Sequence, residues 1–346
     1  MQNTETDNFI FKEIKGDSFD RRLVLENYPF TQADFYGEWQ KASGRKVREF
    51  AVSKGQKVVS YLQAIEYPLM FGKKFLYIPY GPLVKTYSDS LIAFIKENLK
   101  KVYSKDAVFI RFDFFPKPEG ESLGFVSKRL FRVPKFAQNS AMFQPRLEWV
   151  LSLDKSEDEI LSGMHKNTRY SIRIAEKNNV QSEIIKEGLD KHFETFYELM
   201  QKTAKRNGFS LHIKDYYKIV FESINKNRNG FLILSKIKDR VVVAELFVTC
   251  CDTVTYLFAG SSDEERSACP TYSAQWTAIR YAKSLGLNYY NFGGISEEGD
   301  KKSGWYGLTS FKRKFGGMEV RHSIFYDLIL NYFWYVSYFL VKLFRS

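Results

Sequence analysis

The sequence predicts an α/β (α+β) protein built from two similar lobes. The same order of strands and helix occurs twice along the chain, and the spacing of its landmarks is nearly equal in the two copies. The strand segments are rich in Val, Ile, Tyr and Phe, as pleated sheets prefer. A chain of 346 residues suits two domains, and 44% apolar with 17% aromatic residues excludes a disordered protein.

The first copy occupies residues 50–113. It consists of a β-hairpin, a third strand that ends near Gly81, a helix and a closing strand that ends before Asp113. The predicted ranges are Phe50–Ser53, Val58–Ile65, Lys74–Pro79, Ser90–Tyr103 and Val108–Phe112. Apolar residues recur at helical spacing from Leu91 to Leu99, which predicts that one face of this helix is buried.

The second copy occupies residues 231–293 and repeats this order. Its predicted ranges are Phe231–Lys236, Val241–Thr249, Thr253–Phe258, Tyr272–Leu285 and Leu287–Phe292. Gly81 and Asp113 are 32 positions apart, and Gly260 and Gly293 are 33 positions apart. The near-equal spacing predicts two copies of one structural unit.

Helical sequence precedes each copy, at Gln32–Ala42 in the first lobe and at Leu189–Arg206 and Lys214–Asn225 in the second. This order is the plan of an acetyltransferase-like (GNAT-like) lobe. Two tandem GNAT-like lobes predict an inter-lobe cleft that accommodates a large substrate. We expect a first lobe at 1–150, a second at 151–325, and a C-terminal helix at 326–346 that packs back on the first.

The C-terminal run from Leu328 to Phe344 is almost entirely apolar or aromatic. A membrane span needs ~20 apolar residues, so this run is borderline for one. Its tyrosines and tryptophan suit a packed or interfacial helix better than a bilayer centre. A helix docked on the core is the leading prediction, and a membrane-surface helix and a true span are the alternatives.

The net charge and the motifs limit the ligands, cofactors and acyl donors that the sequence predicts. The net charge of +12 attracts polyanions such as nucleic acid, anionic lipid or diphosphate sugars, or it reflects a merely solvated basic surface. Three cysteines and four scattered histidines match no metal site, so we predict no metal and no cofactor. Neither lobe has the glycine-rich turn that holds coenzyme A, which predicts another acyl donor. The segment Met1–Asp7 lacks the apolar stretch of a signal peptide, which predicts a cytoplasmic protein.

Four segments in register carry a resemblance to a known family. They contain a Gly-Pro strand end, a Thr-Arg-x-x-Ile-Arg-x-Ala-x-Lys helix, an Arg-x-Gly-Phe turn and a Phe-Lys-x-x-Phe-Gly close. The segments are Gly72–Pro82, Asn167–Lys177, Ala204–Phe209 and Tyr306–Gly317. Together they resemble the FemABX family of peptidoglycan bridge-forming aminoacyltransferases, and the likeness covers nearly the whole chain.

The resemblance implies that an amino acid passes from the 3′ end of aminoacyl-tRNA to an amine of a stem peptide. Attack on the ester makes a tetrahedral oxyanion, which a positioned cation stabilises. Lys312 matches the catalytic lysine of the family, and the alternative is a solvated surface lysine. Asp113 matches an aspartate that holds the amine or accepts its proton, and the alternative is the cap of a turn before Pro116.

The resemblance also implies contacts to the acceptor. Tyr216 and Tyr256 match acceptor-side tyrosines, although each also suits a core position. Ser43 stands where the family has a phosphate-binding lysine, with Lys41 and Arg45 nearby. His212 stands where the family has an arginine, and Arg206 is the candidate replacement.

A basic stripe on one predicted helix is the candidate tRNA contact. Lys166, Arg169, Arg173 and Lys177 recur at helical spacing, while Ile172 and Ala175 face inward. The alternative is a solvated face. The chain lacks the coiled-coil arm of some relatives, because a new helix begins soon after His212.

We therefore predict an aminoacyl-tRNA-dependent transferase that adds Gly, Ala or Ser to UDP-MurNAc-pentapeptide or lipid II, with peripheral membrane contact through the C-terminal helix. The alternatives are an N-acyltransferase with another activated donor and a non-catalytic module that binds tRNA or membrane.

Overall fold

The computed structural model describes residues 8–16, 19–114, 131–133, 144–322 and 325–343. The chain forms two compact units, 1–146 with 322–346 (unit 1) and 147–321 (unit 2). The boundary follows Arg146 rather than residue 150 because the strand Leu147–Ser152 pairs along its length with strands of unit 2. Met1–Asp7 and Pro116 lie outside the described residues.

Unit 1 is a mixed sheet covered by helices. Its strands are β1 (Phe9–Ile14), β2 (Lys46–Lys54), β3 (Lys57–Pro68), β4 (Lys74–Ile78), β5 (Leu83–Val84), β6 (Ala107–Phe112), β7 (Phe131–Arg132) and, far along the chain, β15 (Tyr326–Ile329). Its helices are α1 (Asp34–Ala42), α2 (Asp89–Tyr103) and α9 (Tyr332–Leu343). The strand order is β1-β2-β3-β4-β6-β15-β7, with β5 beside β3. Only the β4–β6 contact on this path is parallel.

Helix α2 shows why these residues form these elements. The Ser88 hydroxyl accepts a hydrogen bond from the Leu91 amide and caps the helix, and Asp89 favours its positive N-terminal end. Leu91, Ile95 and Leu99 are buried, and together with apolar residues of β2, β3, β4 and β6 they form the main core of the unit. The apolar stripe read from the sequence is the packed face.

The prediction of one helix over 326–346 is wrong at its start. Tyr326–Ile329 is a strand that pairs antiparallel with β6, and the helix begins at Tyr332. A continuous apolar run does not distinguish a buried strand from a helix. Helix α9 packs Tyr335 and Phe339 against Phe75 and Phe109 of unit 1.

Unit 2 has the same plan. Its strands are β8 (Leu147–Ser152), β9 (Gln181–Ile185), β10 (Gly230–Ile237), β11 (Arg240–Cys250), β12 (Thr253–Ser261), β13 (Tyr289–Gly294) and β14 (Met318–Arg321). Its helices are α3 (Glu157–Gly163), α4 (Lys166–Lys177), α5 (Phe193–Asn207), α6 (Lys214–Asn227), α7 (Pro270–Ser284) and α8 (Tyr306–Arg313). The strand order is β9-β10-β11-β12-β13-β8-β14, with β12 and β13 parallel.

Both predicted copies are confirmed with end shifts of a few residues, and the two sheets have matching strand orders. Gly260 shows why the repeat needs its glycine. A β-carbon there would lie 2.4 Å from the backbone of Leu199 and Met200, so a side chain would push helix α5 off strand β12. The predicted inter-lobe cleft stays a prediction.

Candidate active site

Lys312 lies near the end of helix α8 and is buried within unit 2. Its Nζ donates a hydrogen bond of 2.7 Å to the Gly294 carbonyl oxygen and lies 5.9 Å from the centre of the Tyr256 ring. Burial lowers the pKa of Lys312 to about 7, and the charge of Glu148 partly offsets this effect. The alternative of a solvated lysine is therefore wrong.

The backbone of strand β13 supplies the carbonyl oxygen that accepts this hydrogen bond from Lys312. The pairing of β13 with β8 breaks register between Asn291 and Gly294, and Gly293 has a φ of +73°. A β-carbon at Gly293 would lie 3.3 Å from the Tyr256 carbonyl oxygen and 3.9 Å from the Lys312 Nζ. Glycine thus permits both the left-handed turn and the close approach.

Strands β12 and β13 separate beside this turn. Their pairing ends at Thr255 and Asn291, although β12 continues to Ser261 in contact with β11. The backbone groups on this side of β12 therefore have no β13 partner beyond Thr255. The separation occurs next to the residue pair of Gly294 and Lys312.

A buried polar network lies beneath Tyr256, and the sequence reasoning missed it. The Glu245 carboxyl accepts hydrogen bonds from the Tyr256 hydroxyl and, at 2.9 Å, from the Gln275 amide, whose oxygen accepts from the Tyr290 hydroxyl at 2.8 Å. Burial raises the pKa of Glu245 to about 8. A single acidic residue in the apolar run Val241–Val248 was the available signal.

Asp113 follows strand β6 in unit 1 and is buried. Its carboxylate accepts hydrogen bonds from the Tyr77 hydroxyl and, at 2.5 Å, from the Tyr80 amide. Tyr80 reaches this position with a φ of +45°, and its ring stacks on His322. Burial raises the pKa of Asp113 to about 8 against the opposing effect of these hydrogen bonds. A carboxyl group with this pKa is suited to exchange a proton near neutral pH.

The residues of unit 2 that we predicted to contact the acceptor substrate fall into two groups. Half-buried Tyr216 and exposed His212 form a ring pair with centres 4.5 Å apart. Arg206 instead uses its guanidinium on the Ser261 carbonyl and hydroxyl and on Asp263, at distances of 2.9 to 3.0 Å. It therefore braces the end of β12, and its place as a phosphate ligand stays a prediction.

The predicted phosphate-binding residues of unit 1 lie around the end of helix α1. The Ser43 hydroxyl donates to the Trp39 carbonyl, and Arg45 donates to the Gln40 side chain and stacks over Tyr67. Lys41 is exposed, with its Nζ 3.8 Å from a Glu49 oxygen. Among the three, Lys41 has the cation that a solvent-borne phosphate reaches most easily.

The basic stripe lies on helix α4, as predicted, with Ile172 and Ala175 buried. Lys166, Arg173 and Lys177 are exposed. Arg169 differs because its guanidinium donates to the carbonyl oxygens of Ser162 and Met164 at the end of helix α3. Arg169 therefore has a structural role, because it links helix α4 to the end of helix α3.

In the described part of the chain, no three His, Cys, Asp or Glu side chains gather in a way that could hold a metal ion.

The FemAB family model matches residues 135–239 and 232–324, which is more than half of the chain. The chain belongs to the FemAB family. The FemABX resemblance read from the four motifs is thereby confirmed. Lys312 lies inside the matched region, whereas Asp113 lies before it.

Similar proteins agree with this membership. Lipid II:glycine glycyltransferases of Staphylococcus aureus are 22% identical, over 96% of this chain and 92% of theirs. The crystal structure of FemX superposes with a TM-score of 0.80 at 19% identity, covering 94% of this chain and 98% of that one. A tandem GNAT protein from the clavulanic acid pathway has a TM-score of 0.50 at 10% identity, covering 83% and 84%. These structures confirm the fold class of two GNAT-like lobes.

Proposed function

We propose that this FemAB-family chain transfers Gly, Ala or Ser from aminoacyl-tRNA to the stem peptide of a peptidoglycan precursor and so forms an interpeptide bridge. The acceptor is UDP-MurNAc-pentapeptide or lipid II. Family membership and the named activity of the similar glycyltransferases support the proposal. The observation that carries it is the burial of Lys312, since a cation removed from water interacts strongly with a developing negative charge.

The transfer exchanges an ester for an amide. The acceptor amine attacks the ester carbonyl carbon, the carbonyl electrons move to oxygen, and Lys312 in its ammonium form stabilises that oxyanion. Asp113 accepts the proton that the amine loses. Collapse breaks the bond to the tRNA 3′ oxygen, and this oxygen takes up the proton from Asp113 and leaves as the hydroxyl. The transfer as written requires no cofactor.

These two roles predict a bell-shaped pH profile. Lys312 has to be protonated, and burial lowers its pKa to about 7, whereas Asp113 has to be ionised, and burial raises its pKa to about 8. Activity should pass through a maximum near pH 7–8, fall at lower pH as Asp113 takes up a proton, and fall at higher pH as Lys312 loses one.

Exposed and half-buried groups bind the two substrates in this proposal. Lys166, Arg173 and Lys177 contact the phosphates of the tRNA acceptor stem, and Tyr216 with His212 contacts the acceptor. The donor places the reaction in the cytoplasm. A lipid-linked acceptor would bring the C-terminal helix to the inner face of the plasma membrane.

The test supplies the chain with Gly-, Ala- or Ser-tRNA and either acceptor, and follows the acceptor by mass spectrometry. The expected result is a gain of one amino acid that disappears when the tRNA is digested with ribonuclease first. A parallel reaction with acyl-coenzyme A tests the rival donor. Transfer from acyl-coenzyme A with none from any of the three charged tRNAs would overturn the proposal.

A further inference from the structure

Exposed apolar side chains concentrate on one part of unit 1. Seven large ones come from two segments that are far apart in the sequence: Met70, Phe71, Tyr332, Phe333, Val336, Leu340 and Val341. The segments meet where the rings of Phe71 and Trp334 lie 5.5 Å apart. We call these seven residues the apolar patch. A cluster of this kind on a soluble domain marks an interaction surface.

Contacts on the packed face of helix α9 keep the apolar patch at the surface. The Tyr335 hydroxyl donates a hydrogen bond of 2.9 Å to the carboxylate of buried Asp327. The rings of Tyr335 and Tyr338 lie 5.2 and 5.1 Å from the ring of Phe109. Phe333, Val336 and Leu340 follow one another along the opposite face. The outer stripe therefore cannot turn inward without breaking the contacts of Asp327.

The turn between β3 and β4 presents its own apolar tip. Phe71 has a φ of +58° and is 76% exposed, and Met70 beside it is also exposed. Lys73 follows in the same turn, and the run from Leu328 to Ser346 contains Lys342 and Arg345 but no acidic residue. Apolar and aromatic side chains beside Lys73, in segments whose sequence supplies further cations, complement an anionic lipid surface.

We propose that the apolar patch is a docking surface for an anionic membrane, with Phe71 and the outer stripe of α9 as its two insertion points. Helix α9 has 12 residues and, at 1.5 Å per residue, a length of about 18 Å, well below a bilayer core of ~30 Å. No helix among the described residues is long and apolar enough to span a membrane. The helix therefore lies along the surface. This inference goes beyond the transfer reaction and does not require it.

Vesicle sedimentation of the full chain tests the proposal. Binding to phosphatidylglycerol vesicles should exceed binding to phosphatidylcholine vesicles and weaken with salt. The double variant Val336→Ser/Leu340→Ser should lower the partition coefficient about tenfold or more, because two inserting side chains are lost. Its matched control is Leu23→Ser/Leu285→Ser, since the first pair is 48% and 49% exposed and the second 56% and 48%.

Phe71→Ser tests the second insertion point, with Ile213→Ser as its control at the same 76% exposure. The first should weaken vesicle binding and the second should leave it unchanged. Three results would overturn the proposal: no vesicle binding by the unaltered chain, equal loss in the control variants, or a dimer in light scattering that the Val336/Leu340 variant abolishes. Because no tRNA or acceptor is present, failure here is distinct from failure of the proposed transfer.

Discussion

The two units place different polar contacts between corresponding strands of their matching sheets. In unit 1, Arg111 of β6 and Asp327 of β15 form a fully buried, two-pronged ion pair at 2.8 and 2.7 Å. In unit 2, the corresponding strands β13 and β8 are joined by the Asn291 amide and the Glu148 carboxylate at 3.0 Å, and Lys312 donates to a carbonyl oxygen nearby.

The charge of Arg111 has a structural role, whereas the charge of Lys312 remains available to interact with a substrate. The guanidinium of Arg111 is neutralised by its partner, so it is closed to any ligand. The Lys312 ammonium has a neutral acceptor and a lowered pKa, so a negative group that develops nearby would gain most from it. We therefore expect variants of Arg111 to lower stability and variants of Lys312 to lower turnover.

The largest expected effect is on stability in unit 1. Arg111→Ala leaves Asp327 buried without its cation, and the free energy of unfolding should fall by about 3–5 kcal/mol. Urea denaturation measures this change. The double variant Arg111→Met/Asp327→Leu should recover most of it, since both charges are gone.

The control for Arg111 is the exposed pair of Arg321 and Glu297, which has similar two-pronged geometry at 2.9 and 3.0 Å. Arg321→Ala should cost about 0–1 kcal/mol, because water screens this pair. Equal losses in the two alanine variants would show that burial does not distinguish them.

The next effect is on turnover in unit 2. Lys312→Met should lower kcat by roughly 10²–10³-fold, the usual loss for one oxyanion contact. Stability should hold or rise, since a buried cation is removed. Lys314→Met, two residues along the chain, is the control and should keep its activity in the same transfer assay. Native turnover in the Lys312 variant would remove this residue from the mechanism.

The pH dependence of stability should have opposite signs for the buried carboxyl groups and for Lys312. Burial raises the folded pKa of Asp113 from an ordinary value of 3.8 to about 8, so the folded chain binds more protons between these values and stability falls as pH rises through them. Burial lowers the folded pKa of Lys312 from an ordinary value of 10.5 to about 7, so the unfolded chain binds more protons in that window and stability rises with pH across it.

Urea midpoints measured from pH 4 to pH 10 check both signs. Asp113→Asn should flatten the decline below pH 8, and Glu245→Gln should remove a further part, because burial also raises the pKa of Glu245 to about 8. Lys312→Met should remove the rise above pH 7. A decline that persists unchanged in both carboxyl variants would assign it to other groups.

The smallest effect distinguishes two arginines of the basic stripe. Arg173→Ala should weaken tRNA binding and lower the slope of log affinity against log salt by about 1, because in the proposed complex its exposed guanidinium would contact one phosphate. Arg169→Ala should mainly lower stability, because its guanidinium holds the end of α3. An unchanged salt slope in the Arg173 variant would leave the stripe as a solvated face.

Much of the fold was predictable because its signals are local. Hairpins, the apolar stripe of α2 and the repeat spacing depend on neighbouring residues, and the structure confirms them. Strand β15 was not predictable, because its partner β6 lies more than 200 positions earlier in the chain. The motifs led to Lys312, but only three-dimensional packing reveals its burial.

The parts of the site that the sequence missed are side chains whose meaning depends on distant partners. Glu245 is one acidic residue in an apolar strand until Gln275 and Tyr256 are seen to contact it. Arg169 matches the stripe by spacing, yet its contacts with Ser162 and Met164 give it a different task. Periodicity identifies a face but does not show which groups on it are already engaged.

The origin of strand β15 has a consequence for biosynthesis. Unit 2 is one continuous segment, whereas the sheet of unit 1 lacks the strand between β6 and β7 until residues 326–329 have been made. A nascent chain leaves the ribosome from its N-terminal end. Most of unit 1 is therefore translated before unit 2, yet its sheet is completed after all of unit 2 has been translated. Until residues 326–329 are made, Arg111 lacks the carboxylate of Asp327.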